Sequence, residues 1–480
     1  MFHLSHGNAF HALYFMESQM DRRKNGGRLV EMKSEDCGHL GLFSCTAMLV
    51  GAMIGSAIFS LSGLTMMGAG PASVVSWLCA GVLMLAYGLF MGELACAFPQ
   101  SGGVYVFPRM AFEGVLGQWL GWLACWSAIL TNIVAVAFGA IYVGTYLSVA
   151  FPWAARLQVP LALASILLCF LLNVIKFSTA GKINAVIVCA LLGTMAVYVS
   201  MAFFGGHYEA GRLLPFFTQG TNGALGVVSA IPVALIGYSG VISMAFMVGE
   251  VRNPRVTVPL SMVLSIGAVS VVYALMILAT MGVISAGYLV ENEEMRFIPL
   301  FAACFTGLAD TPWLASVVSL SAVLALLTTM LVCISMNARA IQAAGNDGAL
   351  PLFLGGRNAS GAPAAASIAT CLAAAACACF PQMTMQIVNF GALFNVVTIF
   401  VTSAALVQAR RRNLCGHSFK APGGPLLPWG VMAALALCYV PGIVAGGTGL
   451  WCYTAVFLAL GAVLRLFVQR VRKGREPSSL

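Results

Sequence analysis

The chain has 480 residues, 60% of them hydrophobic and only 8% charged, whereas soluble domains carry about 25% charged residues. Together with a mean hydropathy of +0.94 this excludes a soluble core and points to a polytopic membrane protein. The formal charge of +9 does not call for a nucleic-acid partner, because membrane proteins concentrate Lys and Arg on one side.

Residues 1–38 are polar and mixed, without the basic run and apolar core of a signal peptide, and read as a tail. Met16, Met20 and Met32 are plausible alternative starts. Apolar stretches of roughly 20 residues mark spanning helices. They predict twelve: 40–63, 71–97, 117–149, 157–175, 183–204, 224–249, 258–284, 312–337, 362–380, 385–408, 427–446 and 449–469. Spans one to five fill residues 39–205, spans six to ten fill 206–408, and the last two fill 409–469, before a short tail at 470–480. With these spans only Arg156, Arg212 and Arg296 fall opposite the N-terminal side, leaving 21 of the 24 Lys and Arg residues on it (24 − 3). Both termini are therefore expected in the cytoplasm of a cell membrane.

The first span contains Gly51-Ala-Met-Ile-Gly-Ser-Ala-Ile-Phe59. Glycine costs roughly 1 kcal/mol relative to Ala inside a helix, so this run either packs closely against a neighbour or breaks the helix. A break is tolerated only where freed backbone groups are buried in protein or line a cavity. A half-helix starting near Gly55 would present free N–H groups there, which suit a carboxylate. The sixth span has a matching interruption at Gly237-Tyr-Ser-Gly240, after Pro232. Two interrupted spans in corresponding halves point to a transporter site, and an offset of five spans is what two five-helix repeats would give.

No Asp, Glu, Lys, Arg or His sits at a span centre. A charge there is costly and usually functional, so a side-chain proton relay is disfavoured. Glu93 and Glu250 lie at cytoplasmic helix ends, where they either pair with Arg as an inner gate or stand solvated. Thr328 and Thr329 either offer hydroxyls to sodium beside the first break or bond their own helix at i−4. The 15 cysteines make no CxxC pair and read as core residues, and the six histidines are scattered, so neither a metal site nor a cofactor is expected.

Several segments resemble the amino acid–polyamine–organocation (APC) superfamily of permeases. Gly51–Phe59 is similar to its broken first helix, and Glu93-Leu-Ala-Cys-Ala-Phe-Pro-Gln-Ser-Gly-Gly-Val-Tyr-Val-Phe107 to the loop after its second. Glu250-Val-Arg-Asn-Pro-Arg-Val-Thr-Val-Pro259, Arg339 with Asn346-Asp-Gly-Ala-Leu-Pro351, and Phe419-Lys-Ala-Pro-Gly-Gly-Pro-Leu-Leu-Pro428 resemble later loops, in order. The resemblance implies an all-α LeuT-like fold: two inverted five-helix repeats with two additional C-terminal helices. It implies a substrate carboxylate on the N–H groups of Gly55, Ser56 and Ala57, and an ammonium on the carbonyls of Met53, Ile236 and Ser239. It also implies a substrate-binding place for Gly240 at the second break and a pocket wall of Ala124, Cys125, Ile236, Val241 and Cys333. Ala57 stands where relatives usually have Gly, and Val241 where many have an aromatic residue. Where several relatives have a Lys in span five, the position counted from Lys182 is Leu191. Val149–Pro160 lacks the Cys that ties light-chain relatives to a heavy chain, so no such partner is expected.

The sequence thus predicts a secondary amino-acid transporter for a neutral, apolar or small substrate, working as permease or exchanger rather than as an enzyme. An amino-acid sensor that does not transport, and a proton- or sodium-coupled carrier of cationic amino acids or polyamines, are the alternatives.

Overall fold

The computed structural model describes residues 40–473, apart from 56, 101, 175–176, 293–294, 296, 359–360, 416–418, 425 and 446. The expected tail at 1–38, and Ser56, lie outside the described residues. The described backbone is helical with one isolated bridge, between Leu40 and Val251.

The first expected span is two helices, α1 (Leu42–Met53) and α2 (Ser62–Ala69), joined through a π-helical turn at Ala57–Leu61. Gly70 then turns the chain with φ of +60°, where a side chain would be strained, and Pro71 starts the run into α3 (Ser73–Ala97). After the short α4 (Val106–Ala111) come α5 (Gly114–Ala150), α6 (Gln158–Val174) and α7 (Phe177–Phe204). The sixth expected span is also broken. Helix α8 (Gly226–Gly237) gives way to a 3₁₀ turn at Ser239–Ile242 and then to α9 (Ser243–Met247), with a bend of 41° between the two parts.

Next come α10 (Pro254–Val283), the short α11 (Ala286–Glu291) and α12 (Pro299–Phe305), and then α13 (Pro312–Asn346). The chain continues through α14 (Ala364–Ala378), α15 (Thr384–Arg411), α16 (Leu426–Ala445) and α17 (Gly447–Lys473). Prolines open α10, α12 and α13, where a missing N–H has no helical acceptor to lose.

By length and composition eight of the described helical stretches can cross a membrane, or nine if the bent pair counts as one span. The first and second expected spans fall together in the stretch Leu42–Ala97. Expected spans 362–380 and 427–446 appear as the shorter apolar helices Ala364–Ala378 and Leu426–Cys438. Helix α17 runs on to Lys473, so residues 470–473, expected in a tail, are helical.

The two longest helices, α5 and α13, pack against each other, and α1 lies against α7, α10 and α13. Helix α6 instead turns Leu167, Leu168 and Leu171 outward, as expected of a helix with lipid on one side.

One end of the bundle is tied by charge. Glu93 is fully buried, and its carboxylate accepts hydrogen bonds from Arg410 Nε at 2.9 Å, Arg410 Nη2 at 2.6 Å and the Ala421 backbone N–H at 2.8 Å. Arg339 donates to Glu250 through Nε at 2.9 Å and Nη2 at 3.1 Å. The Leu40 N–H donates to the Glu250 carbonyl at 3.2 Å, and the Arg252 N–H to the Leu40 carbonyl at 2.9 Å. The start of the first broken span is thereby stitched to the end of the second.

Glu93→Gln removes the counter-charge of the Arg410 guanidinium and leaves it the Gly424 and Ala421 carbonyls. Removing one partner of a buried pair costs up to about 3–5 kcal/mol, whereas an exposed pair such as Glu209–Arg212 is worth about 0–1 kcal/mol. In a thermal melt in detergent, Glu93→Gln is expected to lower the midpoint clearly and Glu209→Gln to leave it nearly unchanged.

Candidate substrate site

The two breaks face each other across a cavity of about 130 Å³. Its walls include Met53, Gly55 and Ala57 from the first break and Ile236, Ser239 and Gly240 from the second, with Thr329 and Cys333 from α13. These expected residues are brought together. None of the described lining residues is Asp, Glu, Lys, Arg or His.

At the first break the Gly55 N–H turns back to the Met53 carbonyl at 2.8 Å, instead of reaching the Gly51 carbonyl as an uninterrupted helix requires. The freed Gly51 carbonyl accepts from Thr328 Oγ1 at 3.0 Å and Thr329 Oγ1 at 3.3 Å. Thr328 also lies 2.9 Å from the Ala325 carbonyl, so its single hydroxyl proton serves one of the two acceptors at a time. The expected bond to the helix's own i−4 carbonyl is thus replaced by i−3 and cross-helix partners. The three oxygens form a donor set of the kind a hard cation takes, yet hydroxyls already serve the carbonyl.

Glycine is required here by close approach. A Cβ on Gly240 would sit 2.5 Å from the Ala52 backbone, and one on Gly55 would sit 2.4 Å from Thr329 Oγ1.

The sequence reading missed Tyr273 of α10. Its hydroxyl lies 2.6 Å from the Met53 carbonyl and 3.0 Å from the Gly237 carbonyl. It bridges the ends of α1 and α8, where helix dipoles put partial negative charge. The ring is held edge-on by Trp77 and Tyr238, at centroid distances of 4.7 and 5.3 Å. The legible signal was a tyrosine at the middle of an apolar span, whose hydroxyl needs a partner there.

Three expected wall residues are elsewhere. Ala124 and Cys125 sit towards one end of α5, and Cys125 Sγ donates to the Ala340 carbonyl at 3.8 Å. The cavity instead meets α5 at Thr131, Asn132, Val134, Ala135 and Phe138, about 10 Å further along at 1.5 Å per residue. Val241 packs toward Gly88 of α3, and Ile242 faces the cavity. The cause is the 3₁₀ turn, whose three-residue period puts Ile242, not Val241, on the face of Ser239. The α7 residues beside Gly51 are Val188 and Asn184, neither of them ionisable. Glu93 and Glu250 do not line the cavity.

Apolar helices broken about a central cavity define an integral membrane protein built on a polytopic helical fold. Residues 40–462 match the amino acid permease family, and the chain belongs to it. It is 25% identical to a branched-chain amino acid permease of Bacillus subtilis, over 81% of this chain and 84% of the relative. A methylthioribose transporter of the same organism is 23% identical over 90% of this chain and 93% of its own. A serine/threonine exchanger, also from Bacillus subtilis, is 26% identical over 55% and 60%.

Gly240→Val is expected to abolish substrate uptake while the protein still inserts in the membrane and elutes as a single species. Tyr273→Phe keeps the ring packing and removes the one hydroxyl proton shared by the Met53 and Gly237 carbonyls, a loss of about 1–3 kcal/mol. Uptake by Tyr273→Phe vesicles should fall several-fold at equal protein level, as an uptake time course would measure.

Proposed function

We propose that this chain is a secondary transporter that moves a neutral amino acid across the membrane by alternating access. The observation that carries the reading is the cavity between two helix breaks, lined by their backbone and by no ionisable side chain among the described residues. Free N–H groups at the start of a half-helix suit a carboxylate, and carbonyl ends suit an ammonium. Ser56 and Ala57 take the first role, joined by Gly55 once its N–H leaves the Met53 carbonyl, and Met53, Ile236 and Ser239 take the second. A zwitterion is then held by dipoles, and a net charge on the substrate side chain would lack a counter-ion. Relatives named for branched-chain amino acids and for serine and threonine support a neutral cargo.

The fold on this reading is the twelve-helix LeuT-like one, with two inverted five-helix repeats, two added C-terminal helices and both termini cytoplasmic. The halves of the first and sixth helices hinge at Gly55 and Gly240 against a scaffold containing α5 and α13. Glu93–Arg410 and Glu250–Arg339 hold the cytoplasmic end shut and part as the cavity opens inward.

Thr328 and Thr329 already serve the Gly51 carbonyl. Exchange of one amino acid for another is the mode we favour, because no ionisable group among the described residues lines the cavity to couple transport to a proton.

Uptake of a labelled amino-acid panel into proteoliposomes tests the reading. Neutral amino acids should accumulate, faster when the lumen is preloaded with unlabelled substrate, and equally in sodium and in choline buffer. Arginine or glutamate as the best substrate would overturn the neutral assignment. Binding in detergent without any vesicle uptake would make the protein a sensor.

A further inference from the structure

Two side chains in the cavity wall have no task in the zwitterion scheme. Asn132, on α5, is 7% exposed, and Asn395, on α15, is 8% exposed. Both line the cavity between the breaks. Neither carboxamide has a hydrogen-bond partner among the described residues. The other polar side chains of that wall differ. Thr131 Oγ1 donates to the Ser127 carbonyl at 3.0 Å or to Gly391 at 3.3 Å, and Ser239 Oγ to Ile236 at 2.8 Å. Thr329 is engaged with Gly51. Buried polar groups in folded proteins are nearly always hydrogen-bonded, so two carboxamides without a protein partner, both lining one cavity, suit a ligand that donates and accepts.

We propose that Asn132 and Asn395 form the subsite for the substrate's side chain and select an uncharged group that both donates and accepts hydrogen bonds, a hydroxyl or a carboxamide. The proposal rests on the amino-acid transport reading and narrows its substrate class from neutral to polar neutral. Each Asn offers an N–H₂ donor and a carbonyl acceptor. A methyl-ended side chain would leave these buried groups unpaired, and a charged one would face no counter-charge. The backbone of the breaks supplies Gly55, Ala57 and Met53, while the two Asn come from the third and tenth expected spans. Thr131 ties these spans together at this level through the Gly391 carbonyl, so the two walls hold a set spacing.

The test uses isosteric pairs in proteoliposomes of the full chain: threonine against valine, and asparagine against leucine. Sites built to bond a substrate's polar group reject the analogue lacking it far more strongly than apolar pockets reject an added hydroxyl. The polar member of at least one pair should win by about tenfold or more in kcat/KM. Asn132→Leu and Asn395→Leu should each cut that ratio by about tenfold. Asn132→Ser and Asn395→Ser, which keep a polar group, should cut it less.

The wild-type ratio needs no variant, so a misfolded mutant does not blunt the test. Equal or faster transport of valine and leucine by the wild-type protein would overturn the subsite and leave amino-acid transport standing. A polar preference that survives both Leu substitutions would do the same. Absence of uptake for all four compounds, in vesicles that hold monodisperse protein, would overturn the transport reading and this subsite with it.

Discussion

A carbonyl released from helical hydrogen bonding inside a membrane must find a donor within the protein. Water is absent, and an unsatisfied peptide group is costly there. Two helices of this chain are interrupted at mid-depth, and donors from other helices meet the freed groups. Gly51 receives Thr328 and Thr329 of α13. Met53 and Gly237 share the hydroxyl of Tyr273 from α10. Ile236 receives Ser239 from the turn itself. The breaks persist because the neighbouring helices supply what the interrupted ones lose.

The chemistry of those donors bears on motion. A hydroxyl has one proton and turns freely, so Thr328 and Tyr273 each choose between two carbonyls. On the transport reading, a substrate ammonium brings three donors of its own and competes for the same carbonyl ends. The exchange needs no ionisable side chain at mid-depth, where charges are expensive. Glycine at Gly240 lets the second break approach the Ala52 backbone of the first to contact, and glycine at Gly55 lets the first approach Thr329 of α13.

The ion pairs that tie the broken spans and α3 to the rest of the bundle lie at one end. Glu93 sits buried with two nitrogens of Arg410 and a backbone N–H on it, and Glu250 holds Arg339. Such bidentate pairs are directional. They fix α3 against α15 and the end of the sixth span against α13, so a movement that opens this end must part them. The backbone bridge from Leu40 to Val251 couples the two broken spans in that movement.

The sequence by itself determined the membrane class and the absence of ionisable groups at span centres, and it pointed to both helix breaks. Hydrophobic run length, glycine placement and the rarity of charge are local quantities, and a bilayer makes them decisive. It did not reveal that Glu93 is buried on Arg410, because the partners are 317 positions apart. Nor did it place the pocket wall. Which residues of α5 reach the cavity depends on how far a 37-residue helix slides past its neighbours, and Ala124 and Cys125 came out about 10 Å from the cavity level. Val241 and Ile242 were exchanged by a 3₁₀ turn whose period no composition encodes. Tyr273, Asn132 and Asn395 were visible as polar residues in apolar spans, but only packing decided that one would bridge two carbonyls and the other two would line the cavity. Local composition sets where a chain may break or cross, and tertiary contact sets which atoms meet there.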